Sequence, residues 1–286
     1  MNILFDIGGT KMRIAKASPD MDSFDDPIIV KTPEDFDEGM RVLSQSVQEL
    51  SNGESIEYVS GSIAGVIMGD SRTLVRSSHL LGWEGKELNT KIKEALSCID
   101  VFIQNDGELV GLGEAHYGAG KGYPIVAYIT ISTGVGGGRI VDGFLDRKSV
   151  GMEPGHQIID FDKTLCKDCS DVGIFEDFVS GSGVEARFGK EAYEIPQNDL
   201  LWEDLALWSA IGLKNTIVHW SPDVLVLGGS MITGNPAIPL NRIEENLKKL
   251  PSIFPTLPVI KKAELDSVGG LYGTLVYLKQ KKSTLS

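Results

Sequence analysis

Two short stretches hold most of the residues that could do chemistry. The first, Asp6-Ile7-Gly8-Gly9-Thr10-Lys11, gathers a carboxylate, paired glycines, a hydroxyl and an ammonium. Glycines lack a Cβ, so backbone N–H groups beside them can converge on an anion. Thr10 adds a hydroxyl donor, and Lys11 adds a charge that can reach a phosphate. Asp6 suits a Mg²⁺ ion held through water, because Mg²⁺ keeps much of its hydration shell. A tight hairpin turn explains the glycines alone, but it explains Asp6 and Lys11 poorly. The second stretch is Ser132-Thr133-Gly134-Val135-Gly136-Gly137-Gly138, read as a glycine-rich turn over 133–138 between two strands. Neither stretch has the P-loop spacing, and Arg139 stands where a dinucleotide fingerprint needs its third glycine. Both lead into strands, so anion binding at a helix N-terminus does not apply. One such turn says little; two at matching places suggest a grip on a polyphosphate from both sides. Gly228-Gly229-Ser230, after a third apolar run, permits close approach to a flat group such as adenine, and equally a plain strand-to-helix turn.

Asn105-Asp106 closes the apolar run Val101-Phe102-Ile103-Gln104. Phosphoryl transfer needs positioning, charge neutralisation and an acceptor for the hydroxyl proton, and a carboxylate at a strand end can be that acceptor. On spacing alone, Asn105 or Asp106 could instead cap the helix starting near Gly107. Glu153-Pro154-Gly155-His156 reads as a loop whose polar groups could bond ring hydroxyls, or as an ordinary surface loop. No Ser sits in a strand-to-helix elbow, so a Ser–His–Asp nucleophile is not indicated. Trp83, Trp202, Trp208 and Trp220 read as core.

The elements that must position these residues form a pattern that occurs twice. Residues 2–7 and 12–17 read as a hairpin, with a further strand near 28–31. A helix capped by Thr32 follows, carrying Phe36, Met40, Leu43, Val47 and Leu50 on one stripe. Strands near 56–63 and 101–104, a helix over 86–97 and another over 107–117 complete the first half. A hairpin around 125–141, helices near 174–188, 200–220, 237–250 and 267–280, and strands near 223–227 and 258–264 make up the second. Two α/β halves with a ligand cleft between them are the simplest account. The expected domains are 1–118 with 268–286, and 119–267.

The 286 residues suit two domains of average size. A net charge of -13 disfavours nucleic acid as a partner, since phosphate backbones are bound by clustered Lys and Arg. No apolar run approaches the length that spans a bilayer, and the first residues lack a signal-peptide pattern. Three cysteines, Cys98, Cys166 and Cys169, do not make a disulfide framework. A cytoplasmic location, no membrane association and a homodimer are expected.

Taken in order, Asp6-Ile7-Gly8-Gly9-Thr10-Lys11, Asn105-Asp106, Ser132 to Gly138 and Glu153-Pro154-Gly155-His156 resemble the motifs of the ROK family of bacterial sugar kinases and sugar-responsive repressors. The set is specific, and the resemblance runs from the N-terminus to about Leu227-Gly228-Gly229, with the last helix fitting too. It implies an actin-like ATPase fold of two ribonuclease-H-like halves. It also implies ATP with Mg²⁺ and phosphate transfer to a hexose or N-acetylhexosamine. Carried over by motif, Gly9, Thr10 and Lys11 face the phosphates from one side, and Thr133 and Gly134 from the other. Asn105, Asp106, Glu153, His156 and Glu176 would contact the sugar, with Asp106 as general base.

Three departures bear on the site. The family's zinc motif is altered here to Cys166-Lys167-Asp168-Cys169-Ser170-Asp171-Val172-Gly173-Ile174, with Ile174 where a thiolate is needed; structural zinc wants four ligands, so less than stoichiometric zinc is expected. Ala64 precedes Gly65 where the family usually has Pro. His79 stands where an Asn usually approaches the sugar, which leaves the substrate open. A repressor is disfavoured because the first glycine turn begins at Gly8, and a silent sugar sensor because Asp106 and Lys11 are both present. Gly9→Val or Gly134→Val is expected to block the nucleotide and leave the fold largely intact.

Overall fold

The computed structural model describes residues 1–165 and 173–285. Two compact units emerge: residues 1–116, 147–151 and 267–286 make the first, and 117–146 with 152–266 the second.

In the first unit, β1 (Asn2–Ile7) turns back as β2 (Lys11–Lys16), and β3 (Ile28–Lys31) lies on its far side. After α1 (Phe36–Ser51) come β4 (Tyr58–Ile63), a small hairpin of β5 (Val66–Met68) and β6 (Thr73–Arg76), α2 (Leu88–Leu96), β7 (Asp100–Asn105) and α3 (Asp106–Tyr117). The sheet order is β3-β2-β1-β4-β7, with β1, β4 and β7 parallel. A parallel strand covered on both faces should be largely apolar, and β1 is so at Ile3, Leu4, Phe5 and Ile7, with Asn2 and Asp6 as its polar residues. Its Ile3, Phe5 and Ile7 join Met40, Leu43 and Val47 of α1 in one core, while Leu4 turns to the opposite one.

The cap of α1 differs from expectation. Asp35, not Thr32, is the N-cap, and its carboxylate accepts from Glu38 N–H at 2.9 Å. Thr32 instead donates its hydroxyl to Gly8 C=O at 2.7 Å, so it braces the first glycine turn. Residues 147–151 join this unit through Lys148, which pairs with the buried Glu108.

The second unit holds β8 (Ile125–Ile131), β9 (Val135–Val141) and β10 (Phe144–Leu145), then β11 (Ile158–Asp160) paired with β12 (Gly173–Ile174). Helices α4 (Phe175–Val179), α5 (Gly181–Phe188) and α6 (Leu201–Trp220) follow. Next come β13 (Val224–Gly228), α7 (Ser230–Thr233), α8 (Leu240–Lys249) and β14 (Val259–Lys262). The sheet order is β10-β9-β8-β13-β14, again an antiparallel hairpin beside parallel strands.

Two expectations change here. Gly136, Gly137 and Gly138 lie inside β9, opposite Thr130, Ile129 and Tyr128, so the turn proper is Ser132–Gly134. A Cβ on Gly137 would fall 2.3 Å from Tyr128 O, which is why a strand tolerates glycine there. The helix expected over 174–188 is broken at Ser180, whose extended backbone lets its hydroxyl cap α5 by accepting from Gly183 N–H at 3.0 Å.

The chain then returns to the first unit as α9 (Gly269–Leu285), whose Leu271, Leu275 and Leu278 cover Leu4 and Ala15. Among the described residues, no helix is long and apolar enough to cross a membrane.

Candidate functional site

Register places the first unit's chemistry. Ile7 of β1 lies opposite Ile63 of β4, and Ile63 opposite Asn105 of β7. Gly8, Ala64 and Asp106 therefore leave three adjacent parallel strands at one edge, the carboxyl edge where open α/β sheets bind ligands. Two strand spacings separate the outer pair, about 10 Å.

Asp6 sits just beneath the turn. Its Oδ1 accepts from Ser62 Oγ at 2.5 Å and its Oδ2 from Arg13 Nη1 at 3.3 Å. The first turn of α9 closes over it, since a Cβ on Gly270 would fall 2.8 Å from Asp6 Cγ. Burial raises the Asp6 pKa, while Ser62 and Arg13 act in the opposite direction. The carboxylate keeps acceptor capacity beyond these bonds, which fits a hydrated Mg²⁺ beside it. Thr10 and Lys11 are exposed at the turn, and Gly8 N–H donates to Lys11 C=O at 3.0 Å.

His79 reaches this turn. A Cβ on Gly9 would fall 2.3 Å from His79 Cβ. Ser77 sets the approach: its hydroxyl donates to Ala64 C=O at 2.8 Å and accepts from Leu80 N–H at 3.1 Å. Gly65 has φ +134°, and a Cβ there would fall 2.5 Å from Arg76 O, so the β4–β5 connection requires glycine. Asn105 uses both ends of its amide: Nδ2 donates to Gly65 C=O at 3.1 Å, and Oδ1 accepts from Glu108 N–H at 3.2 Å. The cap of α3 is thus Asn105. Asp106 is the first helical residue, half-buried, with Oδ1 accepting from its neighbour Gly107 N–H at 2.9 Å.

In the second unit the turn is closed by Ser132 N–H donating to Gly134 C=O at 2.8 Å. Glu176 of α4 lies against it: Oε2 accepts from Val135 N–H at 2.6 Å, and a Cβ on Gly134 would fall 2.7 Å from that oxygen. Gly228 ends β13 one residue beyond the Leu227↔Ile129 pair, so Gly229 comes up beside the end of β8. Gly229 has φ +86°, and a Cβ there would fall 2.3 Å from Ile131 O.

A pocket of about 360 Å³ opens beside these residues. Ser132, Thr133, Gly181, Ser182, Tyr193 and Asn235 are among its walls. Arg187 steadies α5 behind it, lying over the Phe178 and Trp208 rings, with burial pulling its pKa down to about 10.

Glu153 and His156 are exposed on the short helical turn around Pro154–His156. Cys166 and Cys169 lie outside the described residues. Among those described, no group of three or more His, Cys, Asp or Glu side chains is gathered as a metal site.

The structure thus brings together Asp6, Gly8, Gly9, Gly65, His79, Asn105 and Asp106 in one unit, and Thr133, Gly134, Glu176, Gly228 and Gly229 in the other. Sequence reasoning missed Arg13, Ser62, Thr32 and Ser77, which hold the first set in place. Only Arg13 left a trace, as a second cation on the same strand face as Lys11.

The chain belongs to the ROK family, matching it over residues 3–281. It is 27% identical to a glucokinase of Thermotoga maritima across 69% of this chain and 62% of that protein. It is 26% identical to a xylose repressor of Bacillus subtilis across 54% of this chain and 44% of the repressor. The chain therefore spans less than two thirds of either of these two proteins. Against an N-acetyl-D-glucosamine kinase of Pectobacterium carotovorum, the identity is 26% across 94% and 96%. The structure of a ROK family glucokinase from Streptomyces griseus, in complex with glucose and AMPPNP, superposes with a TM-score of 0.77 at 22% identity, covering 98% and 99% of the two chains. The fold is the expected actin-like ATPase α/β fold, each half a sheet with its own helices.

Proposed function

We propose that this protein is an ATP-dependent sugar kinase acting on a hexose or N-acetylhexosamine. The observation that carries the reading is the strand register that sets Gly8, Ala64 and Asp106 at one edge of the first sheet. The N–H of the following Gly9 suits a phosphate oxygen, and a carboxylate two strands away suits a sugar hydroxyl. Relatives named glucokinase and N-acetyl-D-glucosamine kinase support the class of substrate.

In this reading, Thr10, Lys11 and the Gly9 backbone hold the phosphates from the first unit, and Thr133 and Gly134 from the second. Gly228, Gly229 and the 360 Å³ pocket take the nucleoside. Asp6 would hold Mg²⁺ through water, and the ion would neutralise charge on the phosphates. Asn105 fixes Gly65 to the start of α3 and so aims Asp106, which accepts the hydroxyl proton as the oxygen attacks phosphorus. Negative phosphates nearby favour that proton uptake. Glu153, His156, Glu176 and His79 complete the sugar side.

Asp106→Asn tests the base. It preserves shape and removes only the proton acceptor, so turnover should fall about 10²–10⁴-fold while nucleotide binding persists. Because Asn105 is the helix cap, stability should hardly change. Turnover within a few-fold of the parent, on the best sugar found, would reject Asp106 as the base.

The second reading is a sugar-binding regulator without catalysis, favoured by the match to a xylose repressor. It predicts sugar binding with no sugar-stimulated ADP release.

A further inference from the structure

Resting on the kinase reading, a second role follows for Glu176, which enters that reading only as a sugar contact. Its Oε2 is already engaged by Val135 N–H at 2.6 Å, a short bond between a charged acceptor and a backbone donor. Such bonds are roughly twice as strong as neutral ones. The same oxygen lies where Gly134 has no room for a Cβ. Two backbone bonds run alongside: Gly181 N–H donates to Ser132 C=O at 2.7 Å, and Ser182 N–H to Thr133 C=O at 3.1 Å. The segment 176–182 is therefore fastened to the turn 132–135 at three points, one of them a side chain. Ser132, Thr133, Gly181 and Ser182 all line the 360 Å³ pocket, so this joint forms part of the pocket wall.

We propose that Glu176 is a positioning residue for the nucleotide. By holding Val135 N–H it sets the conformation of the Ser132–Gly134 turn, and nucleotide affinity depends on it even when no sugar is present. A carboxylate can accept several hydrogen bonds, so the same group can also take a sugar hydroxyl. Sugar and nucleotide then meet on one side chain, and each should change the other's affinity by the same factor.

The test is the affinity of a non-hydrolysable ATP analogue with Mg²⁺, measured by calorimetry in the absence of sugar. Glu176→Ala removes the acceptor and should weaken analogue binding by about tenfold. Glu176→Gln keeps an oxygen on the same frame and should stay within about threefold of the parent. Sugar affinity, measured without nucleotide, should fall in both. A residue that only touches sugar predicts unchanged analogue affinity in Glu176→Ala, and that result would overturn the proposal. If Glu176→Ala does not fold, Glu176→Asp withdraws the carboxylate by one methylene while keeping its charge. It should then weaken the analogue as the alanine variant would, and parental affinity would overturn the proposal. A parent that binds no analogue at all removes the kinase reading and this inference with it. A parent that phosphorylates sugar, with Glu176→Ala binding the analogue normally, removes this inference alone.

Discussion

The two glycine turns follow the same hairpin plan, yet the protein holds them by different means. In the first, Gly9 meets the Cβ of His79, an atom fixed to the backbone. Thr32 braces the same turn through Gly8 C=O at 2.7 Å. In the second, a Cβ on Gly134 would meet the carboxylate group at the far end of Glu176. At its glycine the first turn faces an atom that cannot move independently of the backbone, whereas the second faces a charged, movable side chain. A glycine in a ligand turn is thus not necessarily there for the ligand. Here an added Cβ would strike the protein first, so the expectation that Gly9→Val spares the fold does not survive the geometry.

Exchanging each glycine for alanine would expose the difference most strongly. Gly9→Ala should cost about 1–3 kcal/mol of stability, the usual range for overpacking. Adding His79→Gly should recover much of that loss, because it removes the atom the new methyl strikes. Gly134→Ala should cost less than about 1 kcal/mol, since Glu176 can swing aside, and should show instead as weaker nucleotide binding. Denaturant melts of the three variants would decide; equal losses at the two glycines would erase the distinction.

A smaller effect concerns the carboxylate under the first turn, which has no counterpart identified under the second. Burial raises the Asp6 pKa above its ordinary 3.8. The folded state then holds this proton more tightly than the unfolded chain does. Asp6's contribution to stability is present below the ordinary value and declines as pH rises through the raised one. Asp6→Asn lacks that titration, so the parent should lose stability relative to the variant as pH rises above the ordinary 3.8. Thermal melts giving a pH-independent difference would contradict the burial argument. The smallest effect is at the brace. Thr32→Val should cost about 0.5–1.5 kcal/mol and loosen nucleotide binding slightly, whereas an unchanged midpoint would mean that the bond to Gly8 C=O contributes nothing.

Much of this was legible in the sequence, and the reasons differ by residue. Ile3, Leu4, Phe5 and Ile7 are apolar because β1 is covered on both faces, so a strand ending at glycines could be read directly. Asp106 could be placed at a strand end for the same reason. Helix starts were less legible. Thr32-Pro33 looks like a cap, but Asp35 is three residues further on, and Thr32 is drawn to Gly8 by a contact no local pattern encodes. The run Gly136–Gly138 reads as turn by composition, yet it is strand because it pairs with Tyr128–Thr130 of β8, and Gly137 has no room for a Cβ beside Tyr128 C=O. The ties of Arg13 and Ser62 to Asp6, and of Glu176 to Val135, join residues that lie on different elements. They depend on tertiary packing, which spacing along the chain does not report.

The central claim is that ATP and a sugar are both substrates. It is tested most directly by ADP release from ATP and Mg²⁺ against a panel of hexoses and N-acetylhexosamines, with a no-sugar control. The account predicts that at least one sugar stimulates release well above the control and is recovered as its phosphate. If every sugar leaves release at the control level, while calorimetry finds that one of them binds, the protein is a sensor and the kinase reading is wrong.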